Sequence, residues 1–365
     1  MHKTLTLAAA VVAVGALSTG ALAFHDGGVA ECAGCHTMHN SQDGAAVTGD
    51  GMSHAYLLKA ANATDQCLSC HANYGQFRNG EGFGPGGDFY WVTKSWTWES
   101  HGTHTSTGDS HGHNVISPAR GIAADATLLV APGGDFDADF LTCTSCHDPH
   151  GNQDFRLLYG SAFGPIYPGA GRYNFDHDAP LAKGNGRRTY QEDGWETDAH
   201  HTVYKSGMGE WCSNCHTDFH SDNTTDYVHP VSVPLTGAIA ANYNAYVSTD
   251  DITGGNQATS YWGLVPFEDV NADLETVDPA NYTTGPEGND QVMCLSCHRS
   301  HASAFSDIGR WDFAETFIAD SHPQDGDGGA TVDDVARKYY SYTFVQNQRS
   351  LCNKCHVKDA GDAPY

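Results

Sequence analysis

Six copies of the pattern Cys-x-x-Cys-His constrain this chain more than any other feature of it. They stand at Cys32/Cys35/His36, Cys67/Cys70/His71, Cys143/Cys146/His147, Cys212/Cys215/His216, Cys294/Cys297/His298 and Cys352/Cys355/His356, and they use all 12 cysteines. Two thiols at this spacing can form thioether bonds to the vinyl groups of a haem, and the adjoining imidazole then becomes the proximal ligand of the iron. An even cysteine count would otherwise suggest disulfides, and one copy alone would suit half a zinc site or a redox dithiol. Neither alternative requires a histidine directly after every pair. The expected cofactors are therefore six haem c, each covalently held.

Methionine is the usual competitor for the sixth position of such an iron, where it raises the potential. Beyond the initiator only Met38, Met52, Met208 and Met293 are present, too few for six irons, whereas the chain has 22 histidines. Bis-histidine ligation, and with it low potential, is the economical expectation. Four histidines trail a motif closely: His39, His150, His220 and His301. A side chain so soon after the proximal ligand lies on the proximal side of its own haem, so it can serve only another haem's iron. That pattern forces the haems into close succession. His113 and His229 complete the expected distal set, with His25 in reserve; His54, His101, His104, His111, His177, His200, His201 and His322 read as solvent-facing or hydrogen-bonded.

Residues 1–23 read as a cleaved secretory signal, with Lys3, an apolar run from Leu5 to Leu17 and Ala21-Leu22-Ala23 at the cleavage site. No later stretch is apolar for long enough to span a membrane. The chain is 39% hydrophobic and carries 41 Gly and 14 Pro, a poor recipe for layered helices or sheets. The expected fold is a multihaem cytochrome c in one domain, residues 24–365. It has few secondary structures, mostly loops with short α-helices and minor β, wrapped around a continuous haem stack that supplies the apolar interior. Folding should depend on haem attachment, as in small metal-clipped domains. A formal net charge of −26 argues against nucleic acid or anionic membrane as partners and favours cations and positively charged mineral surfaces.

Successive motifs begin 35, 76, 69, 82 and 58 residues apart, too uneven for a solenoid. Residues 89–98, rich in aromatics, suggest a strand. Helices are expected over 332–344, opened by a capping box of Thr331 and Asp334, and over 234–247 and 310–320. Asp325-Gly326-Asp327-Gly328-Gly329 and Asp135-Phe136-Asp137-Ala138-Asp139 offer oxygen ligands for calcium but read equally well as solvated turns, the first lacking the closing Glu of an EF-hand. No nucleophile, phosphate loop or paired-carboxylate motif stands out, which points to an electron-transfer protein and not an enzyme.

The words around the motifs carry a resemblance. Phe24-His25-Asp26-Gly27-Gly28-Val29-Ala30-Glu31-Cys32 running into Cys35-His36-Thr37-Met38-His39-Asn40-Ser41, then Gly112-His113-Asn114, Ala131-Pro132-Gly133-Gly134, Gly207-Met208-Gly209-Glu210-Trp211-Cys212 and Leu351-Cys352-Asn353-Lys354-Cys355-His356, resemble the OmcS-type hexahaem cytochromes, the extracellular nanowires of metal-reducing bacteria. The similarity spans essentially the whole chain after residue 23 and is least clear over 155–205. It implies bis-histidine haems in a continuous stack and head-to-tail polymers, in which His39 of one subunit ligates the haem at Cys294, Cys297 and His298 of the next. The expected function is extracellular electron transfer: secretion through the periplasm to the cell surface, with the same protein, other cytochromes and extracellular metal oxides or electrodes as partners. The alternatives are a monomeric periplasmic shuttle with the same ligation and, further off, a multihaem oxyanion reductase, which would need an iron with an open position.

Overall fold

Single helical turns, and few longer elements, carry this chain. The computed structural model describes residues 32–72, 77, 84–166, 172–184, 196–198, 201–220, 231–340 and 342–356. The expected leader (1–23), His25, His200 and His229 lie outside them. Among the described residues the helices are α1 (Cys32–Cys35), α2 (Ala63–His71), α3 (Met208–Ser213), α4 (Thr236–Ala245) and α5 (Val332–Arg337). Two small antiparallel sheets pair β1 (Trp96–Glu99) with β2 (Thr103–Ser106) and β3 (Leu181–Lys183) with β4 (Val203–Ser206). The rest is 3-10 turns and irregular chain, as the glycine and proline content implies. Among the described residues no helix is long and apolar enough to cross a membrane.

Local chemistry fixes where each element starts. The Asn62 side chain accepts a hydrogen bond from Asp65 N at 2.8 Å and opens α2. At α5 the expected capping box forms: Asp334 N donates to Thr331 Oγ1 at 3.1 Å, and Thr331 N donates to Asp334 Oδ2 at 2.9 Å. That helix ends at Arg337 and not at Phe344, because Tyr340 turns left-handed at φ 58°. The helix expected over 234–247 is α4. The strand expected over 89–98 divides. Asp88 accepts from Tyr90 N at 2.8 Å and starts a 3-10 turn at Phe89–Thr93, and only then does β1 begin, with Trp96 opposite Ser106 and Glu99 opposite Thr103.

The helix expected over 310–320 does not form, leaving one 3-10 turn at Ile318–Asp320. Arg310 is drawn elsewhere: its N–H donates to Cys297 O at 2.7 Å and its Nε to Leu295 O at 2.6 Å. Asp312 then accepts from Ala314 N at 3.0 Å, a local turn that competes with a helix.

The main apolar core gathers Trp91, Trp96, Tyr243, Leu264 and Trp311, and a smaller one joins Tyr204, Met208, Met293 and Leu295 beneath the fourth and fifth motifs. Two groups of buried polar side chains are held by specific contacts. Glu196 accepts from both Arg299 and Arg310 at 3.0 Å, all three buried. His111, fully buried, contacts Ser106 Oγ at 2.7 Å and Trp91 O at 3.1 Å and stacks on Trp96.

Burial lowers the His111 pKa to about 4. The unfolded chain therefore takes up this proton first as pH falls through about 6.5, and folded-state stability present above that pH is lost progressively down to about 4. Denaturation of the haem-loaded protein at pH 7 and pH 4.5 should reveal a loss on the order of 2–3 kcal/mol from this group. His111→Gln should have lower stability at both values but a difference between them smaller by that amount.

Candidate haem sites

Each of the six motifs occupies one helical turn. The backbone N–H of His36, His147, His216, His298 and His356 donates to the carbonyl of the first cysteine four residues back, at 2.9–3.0 Å, and the second motif forms the last turn of α2. Positions i, i+3 and i+4 share one face of such a turn, so both thiols and the imidazole project together. None of the 12 cysteines is in a disulfide.

The imidazoles are anchored from behind. Nδ1 of His36 contacts Tyr56 O at 2.9 Å, His147 contacts Arg156 O at 2.8 Å, His216 contacts Pro132 O at 2.8 Å and His298 contacts Asp307 O at 2.6 Å. A carbonyl can only accept, so Nδ1 carries the hydrogen and Nε2 keeps its lone pair for a metal. The residues present therefore fit haem iron. Removal from solvent lowers the pKa of His147, His216 and His298, which keeps the rings neutral as ligation requires.

Three of these anchors are copies of one clasp. After the first, third and fifth motifs the chain makes a 3-10 turn, at Ala55–Leu57, Phe155–Leu157 and Ser306–Ile308, whose last two residues are left-handed in each copy, with φ between 54° and 59°. The turn is stitched to its motif on both sides. Thr37, Asp148 and Arg299 donate to the carbonyls of Leu57, Leu157 and Ile308, each at 2.8 Å, and Lys59, Tyr159 and Arg310 donate to Cys35, Cys146 and Cys297 at 2.7–2.9 Å. The fourth motif is held differently, by Ala131-Pro132-Gly133-Gly134, with Asp218 N donating to Gly133 O at 2.8 Å.

Three imidazole pairs face one another. His36 and His150 have ring centroids 6.3 Å apart, His147 and His301 6.3 Å, and His216 and His113 6.0 Å, with interplanar angles of 16°, 67° and 44°. Metal–imidazole bonds are about 2 Å long, so two rings facing one metal hold their centroids about 6 Å apart. His113 is fixed by Ser300 O at 2.8 Å, and its approach needs Gly112: a Cβ there would come within 2.6 Å of Ala302 Cβ and 2.7 Å of the His301 carbonyl.

The motifs follow one another in space in sequence order. Cys67 lies beside Cys143 and Cys212 beside Cys294, while Cys35 lies in the field of Cys67 and Cys70, Cys146 in that of Cys215, and Cys297 in that of Cys352 and Cys355. Burial pushes the Cys146, Cys297 and Cys355 thiols up to about 12, so before haem attachment they stay protonated.

Of the other expected ligands, His39 is exposed, and His220, in the turn Thr217–His220, faces His177 at 6.4 Å. His54 pairs with Asp50, His104 contacts Ser100 O, His201 stacks on Tyr261 at 3.5 Å and His322 contacts Asp327 while stacking on Trp98. Asp327 also accepts from Gln324 N, and Asp137 from Asp139 N at 2.9 Å, so both aspartate-rich stretches are self-bonded turns. Among the described residues no group of three or more His, Cys, Asp or Glu side chains is arranged to hold a bare metal ion. The sequence reading missed the clasps, the Glu196 ion triad and Lys354, buried in the sixth motif with Nζ 2.8 Å from Tyr246 O. The nearest sequence signal for the clasps is the recurrence of Tyr56-Leu57-Leu58-Lys59 and Arg156-Leu157-Leu158-Tyr159 after the first and third motifs.

Helical turns that present paired thiols beside back-anchored imidazoles, strung along a chain with little other regular structure, define a multihaem c-type cytochrome. No family model matches the chain. It is 35% identical to C-type cytochrome OmcS of Geobacter sulfurreducens over 98% of this chain and 99% of that protein. Two solved structures resemble it, cryo-EM of the OmcS nanowires at a TM-score of 0.76 and the Outer Membrane Cytochrome S filament at 0.78, both from the same organism. Each is 34% identical and covers 92% of this chain and 100% of the solved one. The chain belongs to the OmcS family of c-type cytochromes.

A Cβ added at Gly134 would collide with the Cys215 carbonyl oxygen, whereas one at Gly237, in α4, would meet nothing within 4 Å. Gly134→Ala should therefore cost about 1–3 kcal/mol by overpacking the fourth motif. Gly237→Ala should raise stability by up to about 1 kcal/mol through helix propensity. Opposite shifts of the thermal denaturation midpoint check the pair.

Proposed function

We propose that this protein is an exported hexahaem cytochrome that polymerises head to tail and carries electrons along closely spaced bis-histidine haems to acceptors outside the cell. Residues 24–365 form its single domain after removal of the leader, and each of the six motifs holds one haem c. The supporting observation is a rule internal to this chain. The trailing histidine of the third motif, His150, faces the proximal ligand of the first, His36, and that of the fifth, His301, faces that of the third, His147. Odd-numbered haems are thus served from two motifs further on.

The rule has a third case. His298, in the fifth motif, would need the trailing histidine of a seventh, and the chain has six. The first motif of a following copy supplies one in His39, which is exposed. His113 serves the fourth haem, and His220 and His229, with His25 in reserve, are the candidates for the second and sixth. The nanowire and filament described for OmcS support the same assembly.

Haem c supplies the iron(III)/iron(II) couple; the chain's residues hold it, orient it and exclude water. The clasps keep the proximal rings of the first, third and fifth sites in one tautomer, and sulfurs as close as those of Cys67 and Cys143 bring neighbouring sites together. Secretion through the periplasm, other cytochromes as partners, and metal oxides or electrodes as acceptors belong to this proposal; the acidic surface suits positively charged minerals.

His39→Ala tests it. The variant should bind six haems and remain dispersed under electron microscopy, with one haem in six losing its low-spin signature. Intact filaments of His39→Ala would sink the assignment.

A further inference from the structure

The buried cations are distributed unevenly along the stack. Among the described residues every fully buried Lys or Arg, namely Arg299, Arg310 and Lys354, lies in or beside the fifth and sixth motifs. The clasps allow a comparison within one molecule. Asp148 and Tyr159 make the same main-chain bonds at the third motif that Arg299 and Arg310 make at the fifth. One backbone device therefore presents a carboxylate at one site and two guanidinium groups at another.

At the fifth motif Arg310 Nε donates to Leu295 O at 2.6 Å and to the carbonyl of the proximal His298 at 3.1 Å. Glu196 offsets only one of the two charges, so the triad keeps a buried positive charge. At the sixth, Lys354 stands between the two cysteines, with its ammonium 4.4 Å from the Tyr243 ring centroid, 5.5 Å from Trp262 and 5.8 Å from Tyr246. A carbonyl and three ring faces hold this cation directly, and the Asp198 carboxylate, which acts on it without a direct bond, offsets its charge only in part.

An oxidised haem iron carries one more positive charge than a reduced one. A buried cation nearby disfavours the oxidised state, in a medium that screens weakly. A carboxylate does the reverse. We propose that Arg299, Arg310 and Lys354 make the fifth and sixth haems the high-potential end of the stack, opposed by Asp148 at the third, so that an electron entering a subunit rests beside its joint with the next copy. This rests on six filled haem sites; the residues are positioning residues, acting through their field.

The experiment is potentiometric titration, followed spectroscopically with dithionite as reductant, of the full-length haem-loaded protein. Haem count and electron microscopy come first, so that failure of haem binding or of assembly is recognised separately. Lys354→Gln should lower the highest-potential component and Lys354→Arg should leave it in place. Asp148→Asn, at a less buried position, should raise a low-potential component. Each neutral variant thus narrows the span between the extremes, from opposite ends. A span left unchanged or widened by either overturns the proposal, as does an equal shift in Lys354→Arg, which would mark packing and not charge. If Lys354→Gln loses haem, the Asp148→Asn result decides.

Discussion

The bond from a proximal Nδ1–H to a backbone carbonyl is the interaction on which the rest of this structure depends. Attached only through its neighbouring cysteines, an imidazole could rotate and exchange tautomers; tied at Nδ1, it offers Nε2 in one direction. The acceptors Tyr56, Arg156 and Asp307 are themselves left-handed, as is the residue after each. Such conformations cost on the order of 1–3 kcal/mol per residue and persist only where the surroundings over-determine them. Here main-chain bonds on both sides of each turn do so, to the residue after the histidine and to the cysteine before it. Local strain and ligand geometry are one feature.

That requirement explains why the elements are short. A helix that delivers a Cys-x-x-Cys-His turn ends once the imidazole has been presented, so α2 stops at His71 and α1 is a single turn. The chain must then double back to meet the ring from behind, which happens nine residues later at the third and fifth motifs. Long strands have no room in such a path. The aromatic core around Trp91, Trp96 and Trp311 packs against Cys297 and Cys355 of the fifth and sixth motifs.

How much of this was legible follows from which atoms do the work. Covalent chemistry fixes the spacing of thiols and imidazole, so the six motifs could be read directly. A trailing histidine cannot turn round to its own haem, so His150 and His301 were readable as donors to other irons, although only the folded chain brings them to His36 and His147. The clasps left almost no trace, because their acceptors are backbone carbonyls, which every residue has. The helix expected over 310–320 failed for a related reason. Arg310 reads as a helix former, but its guanidinium and amide are both committed to the fifth motif. Glu196, far from it in sequence, completes a triad that no local pattern announces.

The alternation of odd and even haems bears on assembly. If each odd haem takes its second histidine from two motifs onward, the six motifs here leave the fifth haem without a donor and the trailing histidine of the first motif spare. Deficit and surplus lie at opposite ends of the stack, so a single copy cannot cancel them by folding on itself. They cancel only between copies, through a contact joining unlike surfaces. Contacts of that kind extend without limit unless the rotation closes a ring. On that premise polymerisation follows from the two-motif offset and from the reach of a histidine three residues past the proximal ligand, the role proposed for His39.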